Sequence, residues 1–168
     1  MAIVTTAGAG MKAAGRATIL QVRAPLSTAR AIELEAAALV ATSPVPVVVS
    51  SRCDIALAAG AAGVNLPEND IPVAAARALL GERLVGRSVH SLESALRAES
   101  EGADYVIFGP VWVSASHLAS TPAGIKALAQ VAHAVRIPVL AIGGVTEERI
   151  AECRAAGAAG FAAIGLFA

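Results

Sequence analysis

Short apolar runs rich in β-branched residues alternate along the chain with longer alanine-rich stretches whose apolar positions recur at helical spacing. The runs have the length of buried strands, and the stretches have the spacing of amphipathic helices. The predicted strands are Ala2–Thr5, Thr18–Val22, Val45–Val49, Gly63–Leu66, Arg83–Gly86, Tyr105–Phe108, Pro138–Ile142 and Phe161–Ile164. The clearest predicted helices are Ser27–Ala41, Ile71–Leu80, Ser91–Ser100, Pro122–Val135 and Thr146–Ala155. This alternation predicts a parallel sheet covered by helices on its outer face.

Residues at the helix ends support these boundaries. Thr146 is a predicted N-cap, and Thr121 with Pro122 is typical of an N-cap followed by proline at the first helical position. Gly102 and Gly157 are placed to end the preceding helices in a left-handed turn.

Eight strands of this kind predict a closed (β/α)₈ TIM barrel, with an open doubly wound sheet as the alternative. No G-x-G-x-x-G segment opens a helix after the first strand, which favours the barrel. We expect one domain over residues 1–168. About a dozen residues separate the first two strands and four follow Ile164, so we expect a shortened barrel with a reduced first helix and no last outer helix. The uncovered flank predicts a homodimer.

Composition narrows the class of protein. Hydrophobic residues make up 56% of the chain and aromatic residues 3%, as expected for small helices packed on strands. Lys and Arg number 13, as do Asp and Glu, so no basic surface for nucleic acid is predicted. No apolar run is long enough for a membrane span, and no signal peptide is recognisable. Two cysteines without metal spacing are expected to be reduced and buried, in a cytoplasmic protein.

In a parallel barrel the residues that follow the strands meet at one mouth. Arg23 and Arg52 follow the second and third strands, and a guanidinium suits phosphate oxygens; a solvated loop charge or an ion pair with Asp54 is the alternative. His90 follows Ser88 at the end of the fifth strand. It is a candidate acid or base, or an orienting donor, or a side chain that binds a loop carbonyl.

Two further residues at the mouth are ambiguous. Asp70 is a candidate Mg²⁺ ligand through a phosphate-bearing substrate, or a cap for the helix that begins near Pro72. Trp112 is expected to form an apolar wall of the mouth. No nucleophile elbow G-x-S-x-G occurs, which argues against a Ser–His hydrolase.

Gly143 and Gly144 separate the seventh strand from a predicted capped helix, and Gly165 stands at the matching place after the eighth. Glycine allows close approach of a ligand, and this corner of a barrel is a frequent phosphate site. A tight turn that needs positive φ is the alternative reading. We expect a β-branched residue at Gly144 to abolish phosphate binding at little cost to the fold.

Several stretches, in this order and at these separations, resemble the thiamine phosphate synthase/TenI family over essentially the whole chain. They are Ser51–Leu66, Gly86–His90, Gly102–Val111 and Ala141–Val145. The resemblance implies a barrel that joins hydroxymethylpyrimidine diphosphate to thiazole phosphate and releases pyrophosphate with Mg²⁺. TenI-type relatives bind the thiazole phosphate and isomerise its ring.

The resemblance also implies roles for individual residues. Gln21 and Arg23 match substrate contacts, and the phosphate cradle comprises Gly143, Gly144, Ile164 and Gly165. The implied catalytic residues are Arg52, Ser88, His90 and His117, and the implied metal ligand is Asp70.

The chain departs from the synthase pattern where pyrophosphate and metal would bind. Ser51 replaces one of two expected carboxylates, Pro25 replaces a basic residue, and His117 stands where a lysine is expected. Charge on a leaving group needs electrostatic stabilisation, so we expect a synthase with weakened catalysis and a doubtful Mg²⁺ requirement. The alternatives are a TenI-type isomerase, although Pro110 replaces a histidine found in some of those relatives, and a non-catalytic binder of phosphate ligands.

Overall fold

The computed structural model describes residues 1–113 and 121–168 and alternates strands with helices along both ranges. The strands are β1 (Ala2–Val4), β2 (Leu20–Val22), β3 (Val47–Ser50), β4 (Gly63–Leu66), β5 (Leu84–Val89), β6 (Tyr105–Phe108), β7 (Val139–Ile142) and β8 (Gly160–Ala162). The helices are α1 (Ala7–Ala14), α2 (Ala29–Thr42), α3 (Cys53–Ala58), α4 (Val73–Leu80), α5 (Leu92–Ser100), α6 (Gly124–Ala134) and α7 (Ile150–Ala155). Each predicted strand is therefore confirmed, with bounds shifted by a few residues.

The eight strands form one parallel sheet in sequential order. Each neighbouring pair is in parallel register, from Ala2 opposite Leu20 to Ile142 opposite Ala162. A bridge between Ala2 and Ala163 joins the last strand to the first. The (β/α)₈ barrel is confirmed, and the open sheet is excluded.

Side chains fill the inside of the barrel at the amino ends of the strands, whereas the carboxyl ends are open. Tyr105, at the start of β6, is 5% exposed and occupies the space beside Gly86, where a Cβ would lie 2.1 Å from the tyrosine ring. Burial raises the pKa of the Tyr105 phenol. Met1, Ile3, Val48 and Ile107 complete this inner cluster. Above it, the carboxyl ends of the strands surround a cavity.

The helix ends follow the predictions in part. Gly102 and Gly157 adopt φ values of 93° and 90°, which confirms the left-handed turns. The predicted start at Pro122 is wrong, because α6 begins at Gly124 with Ala123 as its N-cap. The predicted helix from Thr146 begins instead as a 3₁₀ turn over Glu147–Arg149, and the short helix α3 was not predicted.

The flank where β8 meets β1 is better covered than the sequence indicates. Helix α1 has eight residues, as small as expected, and Ala2 beneath it is fully buried. After β8 the chain forms a 3₁₀ turn over Gly165–Phe167, and the ring of Phe167 stacks on that of Phe161 with centroids 5.8 Å apart. The expectation that β1 lacks cover is wrong, so the homodimer stays a prediction with less support. Among the described residues, no helix is long and apolar enough to cross a membrane.

Candidate functional site

A cavity of about 720 Å³ opens at the carboxyl ends of the strands. Its walls come from every strand except β3 and from loops at the carboxyl ends of those strands. Eight of the residues predicted from the sequence line it together: Gln21, Arg23, Ser88, His90, Gly143, Gly144, Ile164 and Gly165. The structure therefore brings most of the predicted site to one place.

Arg52 does not line this cavity. Its Nε donates to Oδ1 of Asp54 over 2.8 Å, and its Nη2 contacts the second carboxylate oxygen. This hydrogen-bonded pair holds the pKa of Asp54 at about 2 and raises that of Arg52. Of the two alternatives for Arg52, the structure agrees with the ion pair with Asp54. His117, the other cation candidate, lies outside the described residues.

Asp70 lies beside the cavity, and both of its carboxylate oxygens have donors. The Ser51 hydroxyl donates to one, and the backbone N–H of Ile71 donates to the other over 2.7 Å. Asp70 does not cap α4, whose first N–H, that of Val73, donates to Glu101.

A magnesium ion prefers several oxygen ligands in octahedral geometry. Within residues 1–113 and 121–168, no three histidine, cysteine or acidic side chains are grouped to hold a metal ion. Ser51 and Asp70 offer one carboxylate, whose oxygens are already engaged. The described residues do not fit a magnesium centre by themselves.

Two side-chain amides whose oxygens have no donor lie on the floor of the cavity. Gln21 and Asn65 are each 2% exposed, and Oε1 of Gln21 and Oδ1 of Asn65 have no hydrogen-bond partner among the described residues. Asn65 donates through Nδ2 to the Ser88 hydroxyl over 3.0 Å. Buried polar atoms are nearly always paired, so two unpaired acceptors in one cavity indicate a ligand that carries N–H or O–H donors. Asn65 was not among the site residues predicted from the sequence, which gives no signal of an unpaired oxygen.

His90 is held from two sides at the mouth. Its Nδ1 contacts the carbonyl oxygen of Gly109, which only accepts, so Nδ1 carries the hydrogen and Nε2 faces Glu68 at 3.9 Å. The backbone N–H of His90 donates to Oε1 of Glu68 over 3.0 Å. Burial opposes ionisation of Glu68, but hydrogen bonds from Ser94 and His90 and the nearby positive charges leave its pKa below the ordinary value.

The loop that carries Glu68 and Asp70 is held from behind by Arg87, a residue that sequence reasoning missed. Arg87 is 8% exposed and donates to the carbonyl oxygens of Ile71, Glu68 and Asp70 over 2.7, 2.9 and 3.3 Å. Burial lowers the pKa of its guanidinium. An arginine inside a strand gives no sequence signal of such contacts, because they depend on how the loop folds back.

The two glycines after β7 are required by the backbone itself. Gly143 and Gly144 have φ values of 91° and 65°, and a Cβ on Gly144 would lie 2.6 Å from the carbonyl oxygen of Val113. The expectation that a β-branched residue at Gly144 costs the fold little is therefore wrong. Gly165 differs, because its φ is ordinary and an added Cβ would meet nothing within 4 Å.

The glycine loop also presents unpaired N–H groups. In the described part of the chain, the amides of Gly144, Val145 and Gly165 have no backbone acceptor, and all three residues line the cavity. The turn that follows is 3₁₀ and short, so loop amides rather than a long helix would bind an anion here. Trp112, expected at the mouth, does not line the cavity and packs behind the loop.

The fold and the site define a closed (β/α)₈ barrel whose candidate site lies at the carboxyl ends of its strands. The family model described as thiamine monophosphate synthase matches residues 4–167. The chain belongs to the thiamine monophosphate synthase family.

Comparison with individual relatives supports the same family assignment. The thiamine-phosphate synthase of Chloroflexus aurantiacus is 40% identical over 154 residues, covering 89% of this chain and 71% of that protein. The thiamine-phosphate synthase of Anaeromyxobacter dehalogenans is 46% identical over 150 residues, covering 86% of this chain and 67% of that protein. For a relative from Aquifex aeolicus the match covers 64% of its length. The chain thus spans about two thirds of the length of these relatives.

A solved structure is similar over nearly the whole chain. Thiamine phosphate pyrophosphorylase from Pyrococcus furiosus superposes with a TM-score of 0.87 at 30% identity, covering 98% of this chain and 84% of that one. This likeness agrees with the barrel described above.

The contact between Glu68 and His90 predicts a response to acid. Because the pKa of folded Glu68 lies below the ordinary 4.5, its contribution to stability is complete above that value and is lost as the pH falls through the lower, folded value. We expect the amide resonance of His90 to titrate with a midpoint below 4.5 in ¹⁵N-resolved NMR spectra. Glu68→Gln should remove this titration, and Glu93→Gln, on the neighbouring helix, should leave it. An unchanged titration in Glu68→Gln would assign it to another group.

Proposed function

We propose that the cavity binds a phosphorylated heteroaromatic ligand, with the phosphate on the loop amides of Gly144, Val145 and Gly165. The ring then lies toward Gln21 and Asn65. The observation that carries this proposal is the presence, in one cavity, of unpaired N–H donors at the rim and unpaired amide oxygens on the floor. An anion at the rim and a group with N–H donors at the floor satisfy both, whether they belong to one ligand or to two substrates bound side by side.

We infer that this ligand set is that of a thiamine-phosphate synthase: thiazole phosphate and hydroxymethylpyrimidine diphosphate. In the coupling reaction a C–N bond forms between the thiazole nitrogen and the methylene carbon of the hydroxymethylpyrimidine, and the C–O bond from that carbon to the diphosphate breaks. The electron pair of that bond leaves with pyrophosphate. The acceptor oxygens of Gln21 and Asn65 suit the amino group of the pyrimidine, and Arg23 is the exposed cation of the cavity wall.

The charged residues around the cavity also support a synthase with weakened catalysis. A leaving pyrophosphate needs positive charge directed at it. Arg52 is engaged by Asp54 outside the cavity, and the carboxylate of Glu68 lies inside the mouth. The described residues therefore bind a phosphate well but offer little charge to a departing pyrophosphate.

A TenI-type isomerase is the second candidate, and the pair of His90 and Glu68 favours it. Isomerisation of a ring needs proton transfer, and His90 presents Nε2 at the cavity with its tautomer fixed by Gly109. Pro110 lines the cavity where some such relatives carry histidine. A non-catalytic binder is the third candidate, and all three share the phosphate site.

Gly165 provides the test of that shared site. Gly165→Val keeps an allowed backbone and its Cβ meets no atom within 4 Å, but its side chain occupies the rim beside the proposed phosphate. We expect it to weaken the binding of thiazole phosphate by about tenfold or more, since at least one N–H contact is lost. Isothermal titration calorimetry with thiazole phosphate and with its dephosphorylated alcohol measures the effect. The matched control is Gly15→Val, at another glycine with open space around it. Undiminished binding by folded Gly165→Val would refute the proposed phosphate position.

Ser51 distinguishes a weakened synthase from a binder. Ser51 contacts Asp70 and has a φ of 68°, a conformation that aspartate tolerates better than most residues. Ser51→Asp would place two carboxylates side by side, and His117→Lys would add the expected cation. We expect this double variant to raise Mg²⁺-dependent synthase turnover by about tenfold or more. Asp70→Asn in that background should cancel the gain. Absence of turnover in every form, with thiazole phosphate still bound, would favour the isomerase or the binder.

A further inference from the structure

Arg149 makes two contacts behind the glycine loop. It is the last residue of the 3₁₀ turn and is half-buried. Its Nη1 donates to the carbonyl oxygen of Gly144 over 2.7 Å. Its guanidinium lies over the indole ring of Trp112, with Cζ 4.8 Å from the ring centroid, within the range of a cation–π contact. The two contacts fix the guanidinium between the indole and the loop.

The hydrogen bond to Gly144 determines which way the next peptide faces. A peptide is planar and trans, so the carbonyl of Gly144 and the N–H of Val145 point in opposite directions. With its carbonyl turned toward Arg149, this peptide directs the N–H of Val145 to the opposite side, and Val145 lines the cavity. The reversed peptide would present a carbonyl oxygen to a bound phosphate, and two acceptors repel. Glycine places little restriction on that reversal, so the orientation needs an external contact.

Trp112 supports the same loop. Its backbone N–H donates to the carbonyl of Gly143 over 3.0 Å, and its Cβ lies where a side chain on Gly144 would have to go. The side chain of Trp112 thus packs against the loop, and the guanidinium of Arg149 stacks on the face of its indole. Trp112 is the only tryptophan in the sequence, so its fluorescence reports on this assembly alone.

We propose that Arg149 is a positioning residue for phosphate binding: it holds the peptide between Gly144 and Val145 so that an N–H faces the anion, with Trp112 as its platform. This rests on the phosphate site proposed above. Arg149 acts through the loop and need not touch the ligand, which distinguishes it from Arg23 at the cavity wall.

Arg149→Met tests the proposal beside Arg154→Met, an exposed arginine a few residues along the chain whose loss changes the net charge equally. Binding of thiazole phosphate and of its dephosphorylated alcohol is followed by Trp112 fluorescence and by calorimetry, with thermal unfolding of the ligand-free proteins alongside. We expect Arg149→Met to bind thiazole phosphate about tenfold more weakly. Its affinity for the alcohol and its thermal stability should stay close to those of Arg154→Met. Arg149→Lys should restore part of the loss, because an ammonium group donates to the same carbonyl but stacks less well on the indole.

Each other outcome overturns the proposal. Equal binding of thiazole phosphate by Arg149→Met and the unchanged protein would show that the loop is oriented without Arg149. Equal weakening for the phosphate and the alcohol would show a general defect of the cavity rather than a role toward the anion. Failure of the unchanged protein to bind thiazole phosphate at all would overturn the proposed function as well, so the two failures are distinguishable.

Discussion

Two hydrogen bonds join the first strand to the segment after the last. The N–H of Ile3 donates to the carbonyl oxygen of Ala163 over 2.9 Å, and the N–H of Ala163 donates to the carbonyl oxygen of Met1 over 3.2 Å. They close a sheet whose eight strands all run the same way, so every strand ends on one rim. Gln21, early in the chain, and Gly165, near its end, line one cavity only because of this closure. In an open sheet of the same strand order, Gln21 and Gly165 would lie near opposite ends of that edge.

The site offers N–H groups that can bind an anion but gathers few positive charges. Loop amides can bind an anion without any ion pair, and in the described residues the amides of Gly144, Val145 and Gly165 have no backbone acceptor. The cations that would stabilise a departing pyrophosphate are not gathered in the described residues, because Arg52 pairs with Asp54 and Arg149 faces away behind the loop. Under the proposed function, binding and turnover depend on separate parts of the mouth.

The fold and much of the site could be predicted from the sequence because both depend on local patterns. Strand and helix spacing gave the barrel, and the rule that chemistry follows strand ends found Gln21, His90 and Gly165 at the cavity. What could not be predicted depends on side-chain contacts between distant residues. Glu68 contacts His90, Arg87 holds the loop of Glu68, and Arg149 contacts Trp112, with no sequence signal for any of these pairs. The positive φ of Gly144 was foreseen as an alternative, but its close approach to the carbonyl of Val113 was missed for the same reason, because that carbonyl lies in a different loop.

The crystal structure of the protein with thiazole phosphate tests the central claim most directly. We expect the phosphate within hydrogen-bond distance of the amides of Gly144, Val145 and Gly165, with the thiazole ring inside the same cavity. A phosphate held instead by Arg52 outside the cavity would contradict it. So would a phosphate in the smaller cavity of about 220 Å³ that Arg16 and Arg154 line at the flank of the barrel.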